Sequence, residues 1–274
     1  MSARRLRLLC LLTGLLTGLL PVRSGEGMWI PLLVDSQKLA DMQQMGFTLG
    51  AGEIFSNTSP SLKDAVVIFG GGCTGELISP DGLLITNHHC GYSRIQSHST
   101  LEHNYLRDGF WAASKKEELP NPGLIVSFLI RMEDVTGKVL AGISASTSEE
   151  ERNRLVIIHS DAIVRKATDS THYSAEIKPF FFGKSYYLFV YEVFRDVRLV
   201  GAPPEAIGRF GGDTDNWIWP RHTGDFSLFR IYAGKDNLPA DYSPDNVPYK
   251  PRRYFKISVD GVKEGDFTMV LGYP

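Results

Sequence analysis

Cysteine is scarce in this chain. Of three cysteines in 274 residues, Cys10 lies in an apolar N-terminal run, which leaves Cys73 and Cys90. No C-x-x-C and no H-E-x-x-H spacing occurs, so the common zinc-ribbon and zinc-protease ligand sets are excluded. An excess of charge of one sign is also missing. Lys and Arg number 29 against 31 Asp and Glu, a formal net charge of −2, and no basic stripe follows the first seven residues. That balance excludes a nucleic-acid-binding surface and an acidic tail. No apolar run reaches the roughly 20 residues of a membrane-spanning helix. Repeats and low-complexity tracts are absent. So is a nucleophile motif: "GKSYY" and "AGISAS" lack the paired glycines that free backbone N–H groups for an oxyanion hole.

What is present reads as globular material, 43% hydrophobic and 22% charged, enough for one large domain or two small ones. Arg4, Arg5 and Arg7 precede an apolar run over residues 8–20, and small residues follow near Ser24. This is the layout of a secretory signal over residues 1–24, and Leu9 before Cys10 argues against lipidation. The mature chain, 25–274, is therefore expected to be exported, to the periplasm or the cell surface, with no stable membrane insertion after signal removal. Export makes a disulfide the first reading of Cys73 and Cys90. They stand seventeen residues apart, a loop whose closure stabilises by roughly 3 kcal/mol. The rival is a metal site that uses Cys73, His88, His89 and Cys90.

The hydrophobic pattern predicts a short helix over residues 36–46 with Leu39, Met42 and Met45 on one side, and a strand in "DAVVIFGGG". "TGELISPDGLLITN" gives two apolar runs around Pro80-Asp81-Gly82, hairpin chemistry. "GLIVSFLIRMEDVT" is a strand. Residues 148–167, acidic at the start and basic at the end, form the best helix. Two or three strands follow in "AEIKPFFFGKSYYLFVYEVFRDVRLVGAP", and two more in "DFSLFRIYA" and "DFTMVLGYP". The sum is mostly β, antiparallel, with one substantial helix, which suggests a barrel or sandwich. The end on "GDFTMVLGYP", with no closing element, reads as the N-terminal part of a longer protein.

Nucleophilic hydrolysis of a peptide needs a histidine base and a carboxylate that orients it. The histidine must be held rigidly, since about an ångström of drift can cost roughly a hundredfold in rate. "CTGELISPDGLLITNHHC" has the form cysteine, strand, turn, strand, histidine, cysteine. It resembles the trypsin-like order that ends in Thr-x-x-His-Cys, and His89, directly before the cysteine, aligns with the base. His88 reads as structural. Asp225 opens the apolar strand "DFSLFRIY" and is the better placed carboxylate. Asp213 and Asp215 lie in a Gly-rich turn, where Asp caps backbone N–H groups. Trp217 and Trp219, beside Asn216, Arg221 and His222, read equally as a substrate wall or as core.

"EGMWIP", "GGGCTGELISPDGLLITNHHCGY", "LRDGFWA", "GGDTDNWIWPRHTGDFSLFRIYA" and "GDFTMVLGYP" together resemble the bacterial dipeptidyl-peptidase 7 and dipeptidyl-peptidase 11 family, from Gly27 to the end of the chain. The resemblance implies an exported serine exopeptidase with a chymotrypsin-like double β-barrel, of which this chain is the first part, ahead of a helical insertion and the nucleophilic serine. It implies His89 as general base, Asp225 as its orienter, and Asn216 with Trp217 as part of the pocket for a substrate's free α-amino group. An amide carbonyl and an aromatic face suit that cation. Peptides with a free N-terminus are the expected partners, and no metal or organic cofactor is implied. A homodimer is compatible with the complete enzyme. The alternative reading is a non-catalytic peptide-binding module derived from the same family.

Overall fold

The computed structural model describes residues 28–212 and 221–273. The expected signal segment falls outside them, as do Asp213, Asp215, Asn216, Trp217 and Trp219. Among the described residues the chain is built on one antiparallel sheet of eleven strands. Alternating or continuous apolar runs set the long strands: β1 (Val66–Phe69), β2 (Cys73–Leu77), β3 (Leu83–Thr86), β6 (Val126–Asp134), β7 (Ser174–Phe180), β8 (Ser185–Phe194), β9 (Asp196–Ala202) and β10 (Ser227–Ala233). Two-residue pieces complete it: β4 (Phe110–Trp111) and β5 (Leu119–Pro120) on β9, and β11 (Val247–Pro248) on β10. The main order is β4-β9-β10-β3-β2-β1-β6-β8-β7.

One residue, Arg195, separates β8 from β9, although five strands lie between them in that order. A flat sheet cannot satisfy both facts, so the sheet rolls until its two sides approach. Register shifts between Leu129 and Arg131 and between Leu228 and Phe229 add the local twist that rolling needs. The enclosed face carries Val67, Phe69, Leu77, Leu84, Val126, Phe128, Phe194, Leu199, Phe229 and Ile231, all but removed from water. At about 25 cal/mol per Å² of apolar area, each such side chain contributes roughly 1.5–3 kcal/mol.

Among the described residues, three helices of six residues or more accompany the sheet. α1 (Leu39–Gln44) follows a separate turn at Val34–Gln37, because Lys38 leaves helical geometry (φ −141°). Leu39 and Met42 reach a small core with Val34, Phe47 and Ile54, whereas Met45, expected on the same face, is exposed. α2 (His88–His98) carries the histidine pair. α3 (Glu149–Thr168) matches the helix read at 148–167: the Ser148 hydroxyl accepts from the Glu151 N–H, and three glutamates fill the first turn. It lies on β7 and β8 through Val156, Ile163 and Val164.

Two expectations need correction. "DFTMVLGYP" is not a strand: Phe267 and Leu271 turn to the α1 core, Val270 is exposed, and the Tyr273 backbone bonds to the Thr74 hydroxyl. Its apolar residues serve side-chain contacts, and no ladder partner is present among the described residues. The histidines, expected at a strand end, instead open a helix, since β3 stops at Thr86 and Asn87 takes the extended conformation of an N-cap.

Candidate active site

The pairing of β3 with β10 builds the site. Thr86 stands opposite Ser227 in an antiparallel register, so residues just after Thr86 meet residues just before Ser227. That brings His89 to Asp225 across a sequence separation of 136 residues. Three contacts hold α2 there. The Cys73–Cys90 disulfide ties its first turn to the start of β2. The Ser227 hydroxyl donates to the Asn87 carbonyl at 2.9 Å. Gly91 lets the helix lie on β10, because a Cβ at this position would stand 2.6 Å from the Ser227 Oγ and 3.1 Å from the Phe229 ring.

The Asp225 carboxylate grips His89 at two points. Oδ2 lies 2.8 Å from His89 Nδ1, and Oδ1 accepts the His89 backbone N–H at 3.1 Å. The Asn87 side-chain amide donates to Oδ2 and to the Asp225 carbonyl, each at 3.2 Å. Arg221 approaches Oδ2 at 4.0 Å. Burial by itself raises the Asp225 carboxyl, but the bonds from His89 and its charge outweigh burial and hold it below the ordinary carboxylate value. An ionised carboxylate only accepts, so Nδ1 is the donor to Asp225, and in the neutral imidazole the lone pair is on Nε2. The Asp225 side chain is 10% exposed and that of His89 59%, a fixed anchor beneath an accessible base-type nitrogen.

Next to this pair opens a cavity of about 380 Å³ lined by His89, Tyr92, Gly208, Arg209, Gly212, Thr223 and Asp225. Its wall is the helical turn Glu205–Gly208 and the segment after it. The Thr223 hydroxyl donates to the Phe210 carbonyl at 2.6 Å, and the Gly224 N–H to the Ile207 carbonyl at 3.0 Å. The Arg209 guanidinium stands 5.7 Å above the Tyr92 ring and 3.4 Å from Glu205.

His88 points the other way. It is fully buried, its ring lies against Gly208, and among the described residues neither ring nitrogen has a hydrogen-bond partner within bonding geometry. Burial lowers its pKa, against opposition from the Asp225 charge, the nearby Pro203 backbone and the Glu205 charge, and so favours the neutral imidazole. The rival metal reading meets a direct obstacle. Cys73, His89 and Cys90 do form a cluster, but both sulfurs are spent in the disulfide and neither is a thiolate.

A family model for peptidase S46 matches residues 24–274. The chain belongs to the peptidase S46 family. It is 54% identical over 248 residues to an Asp/Glu-specific dipeptidyl-peptidase of Capnocytophaga gingivalis, covering 90% of this chain and 35% of that protein. To a dipeptidyl-peptidase 7 of Phocaeicola vulgatus it is 50% identical over 272 residues, 97% of this chain and 38% of the relative. The crystal structure of Porphyromonas endodontalis DPP11 in complex with the dipeptide Arg-Glu superposes with a TM-score of 0.78 at 51% identity, over 88% of this chain and 36% of that one. The S46 chain thus spans about a third of the length of the curated relatives it matches.

Of the residues singled out in the sequence, the fold brings together His89, Asp225, Cys73 and Cys90. Asn216 and Trp217 lie outside the described residues. Sequence reasoning passed over Asn87, although an Asn directly before a helix is a common cap, and here its amide is turned to Asp225 instead. Tyr92, Gly208, Arg209 and Thr223 carry no local signal, because only packing brings them to one cavity.

Proposed function

We propose that this chain supplies the general base and the orienting carboxylate of a serine-type dipeptidyl-peptidase, which removes dipeptides from the free N-termini of peptides. The observation that carries the reading is the two-point grip of Asp225 on His89, beside an open cavity and beneath a disulfide-tied helix turn. In the reaction His89 Nε2 takes the proton of the serine hydroxyl and returns it to the leaving amine, while Asp225 holds Nδ1–H and stabilises the imidazolium. The serine is assigned to sequence outside residues 1–274, and this chain alone is expected to release no dipeptide. Asn216 and Trp217 take the substrate's α-ammonium group. The rolled sheet, with its one-residue β8–β9 step, is read as the first barrel of a chymotrypsin-like pair. Export to the periplasm or cell surface follows from residues 1–24 as a signal.

The test is a chimaera in which residues 25–274 replace the matching third of the Capnocytophaga gingivalis Asp/Glu-specific relative. It is assayed with chromogenic dipeptide substrates. Turnover is expected, with a loss on the order of 10⁴-fold for Asp225→Asn and a comparable loss for His89→Ala. A His89→Ala chimaera with full activity would remove the base from this position. N-acetylation of the substrate is expected to abolish cleavage, and equal rates on blocked and free peptides would remove the exopeptidase assignment.

A further inference from the structure

Asn87 stands where a helix cap belongs and does not act as one. It is the extended residue before α2, yet its side chain accepts no N–H from that helix. The Asp225 carboxylate takes the capping place from the entry of β10. Its Oδ1 accepts the His89 N–H, and the His88 N–H also favours its charge. The carboxylate thus closes the positive end of an eleven-residue helix. Asn87 is turned to donate instead, with Nδ2 3.2 Å from Asp225 Oδ2 and 3.2 Å from the Asp225 carbonyl. Both partners only accept, so the nitrogen of the amide, not its oxygen, faces them. One amide bonded to the carbonyl and to Oδ2 of a single residue spans the torsions between them and holds the carboxylate against rotation. Asn87 is itself anchored: Thr86 pairs with Ser227, whose hydroxyl bonds to the Asn87 carbonyl at 2.9 Å.

We propose that Asn87 is a positioning residue of the reaction assigned above, a reading that rests on that assignment: its amide, released from capping, locks Asp225 in the orientation that holds His89 Nδ1–H. The oxygen it grips, Oδ2, is the one 2.8 Å from His89 Nδ1. Asn87 is exposed, so without its amide water would fill that side of Oδ2, and water reorients where a tethered amide does not. A neutral donor also suits the chemistry. A cation in this place would offset the negative charge that an imidazolium needs, whereas an amide fixes the oxygen and leaves the charge. The charged and titratable groups around the pair are Arg221, 4.0 Å from Oδ2, Arg209 and Tyr92 on the cavity lining, Glu205 beside Arg209, and the buried His88. All of them stay in place when residue 87 alone is changed.

The test sets capping against positioning with four variants of residue 87. Asp and Ser cap a helix as well as Asn does, so a capping role ranks Asn87→Asp and Asn87→Ser with the parent and only Asn87→Ala below it. A positioning role ranks Asn87→Asp lowest, because an acceptor then faces the carboxylate, with Asn87→Ser and Asn87→Ala between. Asn87→Gln keeps an amide and is expected to recover part of the loss. In the full chain, labelled with ¹⁵N-histidine, NMR reads the His89 tautomer and the exchange of its Nδ1–H with water. Exchange is expected to rise about 10-fold in Asn87→Ser and Asn87→Ala, the low end of what a hydrogen bond to a charged group is worth, and further in Asn87→Asp. If Asn87→Ala loosens the fold, Asn87→Ser carries the comparison. In the chimaera kcat is expected to fall about 10-fold for Asn87→Ser with KM within about twofold. Nδ1–H exchange in Asn87→Asp equal to the parent overturns the proposal. So does a parent whose His89 carries its proton on Nε2, or a rise in KM with kcat unchanged. A parent chimaera without turnover counts against the function proposed above, and the NMR comparison, which needs no serine, then decides the role of Asn87 by itself.

Discussion

Replacing Gly208 by Ala tests whether the buried His88 ring sets the position of the cavity wall. A Cβ at residue 208 would stand 2.4, 2.5 and 2.8 Å from three atoms of that ring, against about 3.4 Å for ordinary contact. The shortfall is about 1 Å, and the ring has no free direction because His88 is fully buried. Either the Glu205–Gly208 turn or the first turn of α2 must give way. Overpacking of this kind costs about 1–3 kcal/mol, and alanine returns about 0.4–1 kcal/mol by restricting the unfolded chain. A net loss of about 1–2 kcal/mol lowers Tm by about 2–8 °C in a chain of this size. In a His88→Ala background the ring is gone, so adding Gly208→Ala should cost about 0.5 kcal/mol or less. The coupling between the two changes is then about 0.5–2 kcal/mol. Calorimetry on the four proteins reads this directly, and the downfield Nδ1–H resonance of His89 reports whether the neighbouring turn has moved. Equal losses in the two backgrounds, or a Tm within 1 °C of the parent, would refute the contact.

Three further outcomes are expected. Cys73→Ala/Cys90→Ala should lose about 3 kcal/mol in denaturant unfolding, the closure entropy of the loop, and a loss under 1 kcal/mol would show that the α2 frame holds itself. Stability should fall on acidification in two windows. His88, neutral and buried with its pKa below the ordinary 6.5, binds its proton more readily in the unfolded chain, so stability complete above that value declines as pH falls through it toward the lowered folded value. Asp225, held below the ordinary 3.8, acts in the same sense further down: its contribution is full above that value and is lost as pH falls through the folded one. Urea midpoints for His88→Leu should lose the upper decline and keep the lower, and an unchanged upper decline would assign it to another group. Asp225→Asn should abolish the Nδ1–H resonance of His89 in proton NMR, and a persisting signal would mean that another acceptor holds the ring.

The local elements were legible wherever one short segment carried the whole cause. The hairpin over residues 73–86 follows from two apolar runs around Pro80-Asp81-Gly82, and α3 from Ser148, its glutamates and its apolar spacing. The first turn of α2 was not legible, because "TNHHC" has no helical periodicity; the helix is paid for by Gly91 and Ile95 packing inward. "DFTMVLGYP" failed in the opposite direction, since a strand-like pattern needs a neighbour before it can become a strand.

At the site, sequence alone determined the chemistry on offer: one histidine beside a cysteine, one aspartate at a strand entry, no surplus charge and no zinc spacing. Residue types and their near neighbours suffice for that, because propensity and side-chain chemistry are local properties. Tertiary structure decided everything that depends on distance: the β3–β10 register that places Asp225 Oδ2 2.8 Å from His89, the amide of Asn87 turned to the same carboxylate, and a cavity wall drawn from residues more than a hundred positions from the histidine. It also divided the two adjacent histidines, one exposed on its anchor and one fully buried against Gly208. Successive helix side chains point about 100° apart, so which of the two meets solvent was settled only when α2 was laid on the sheet.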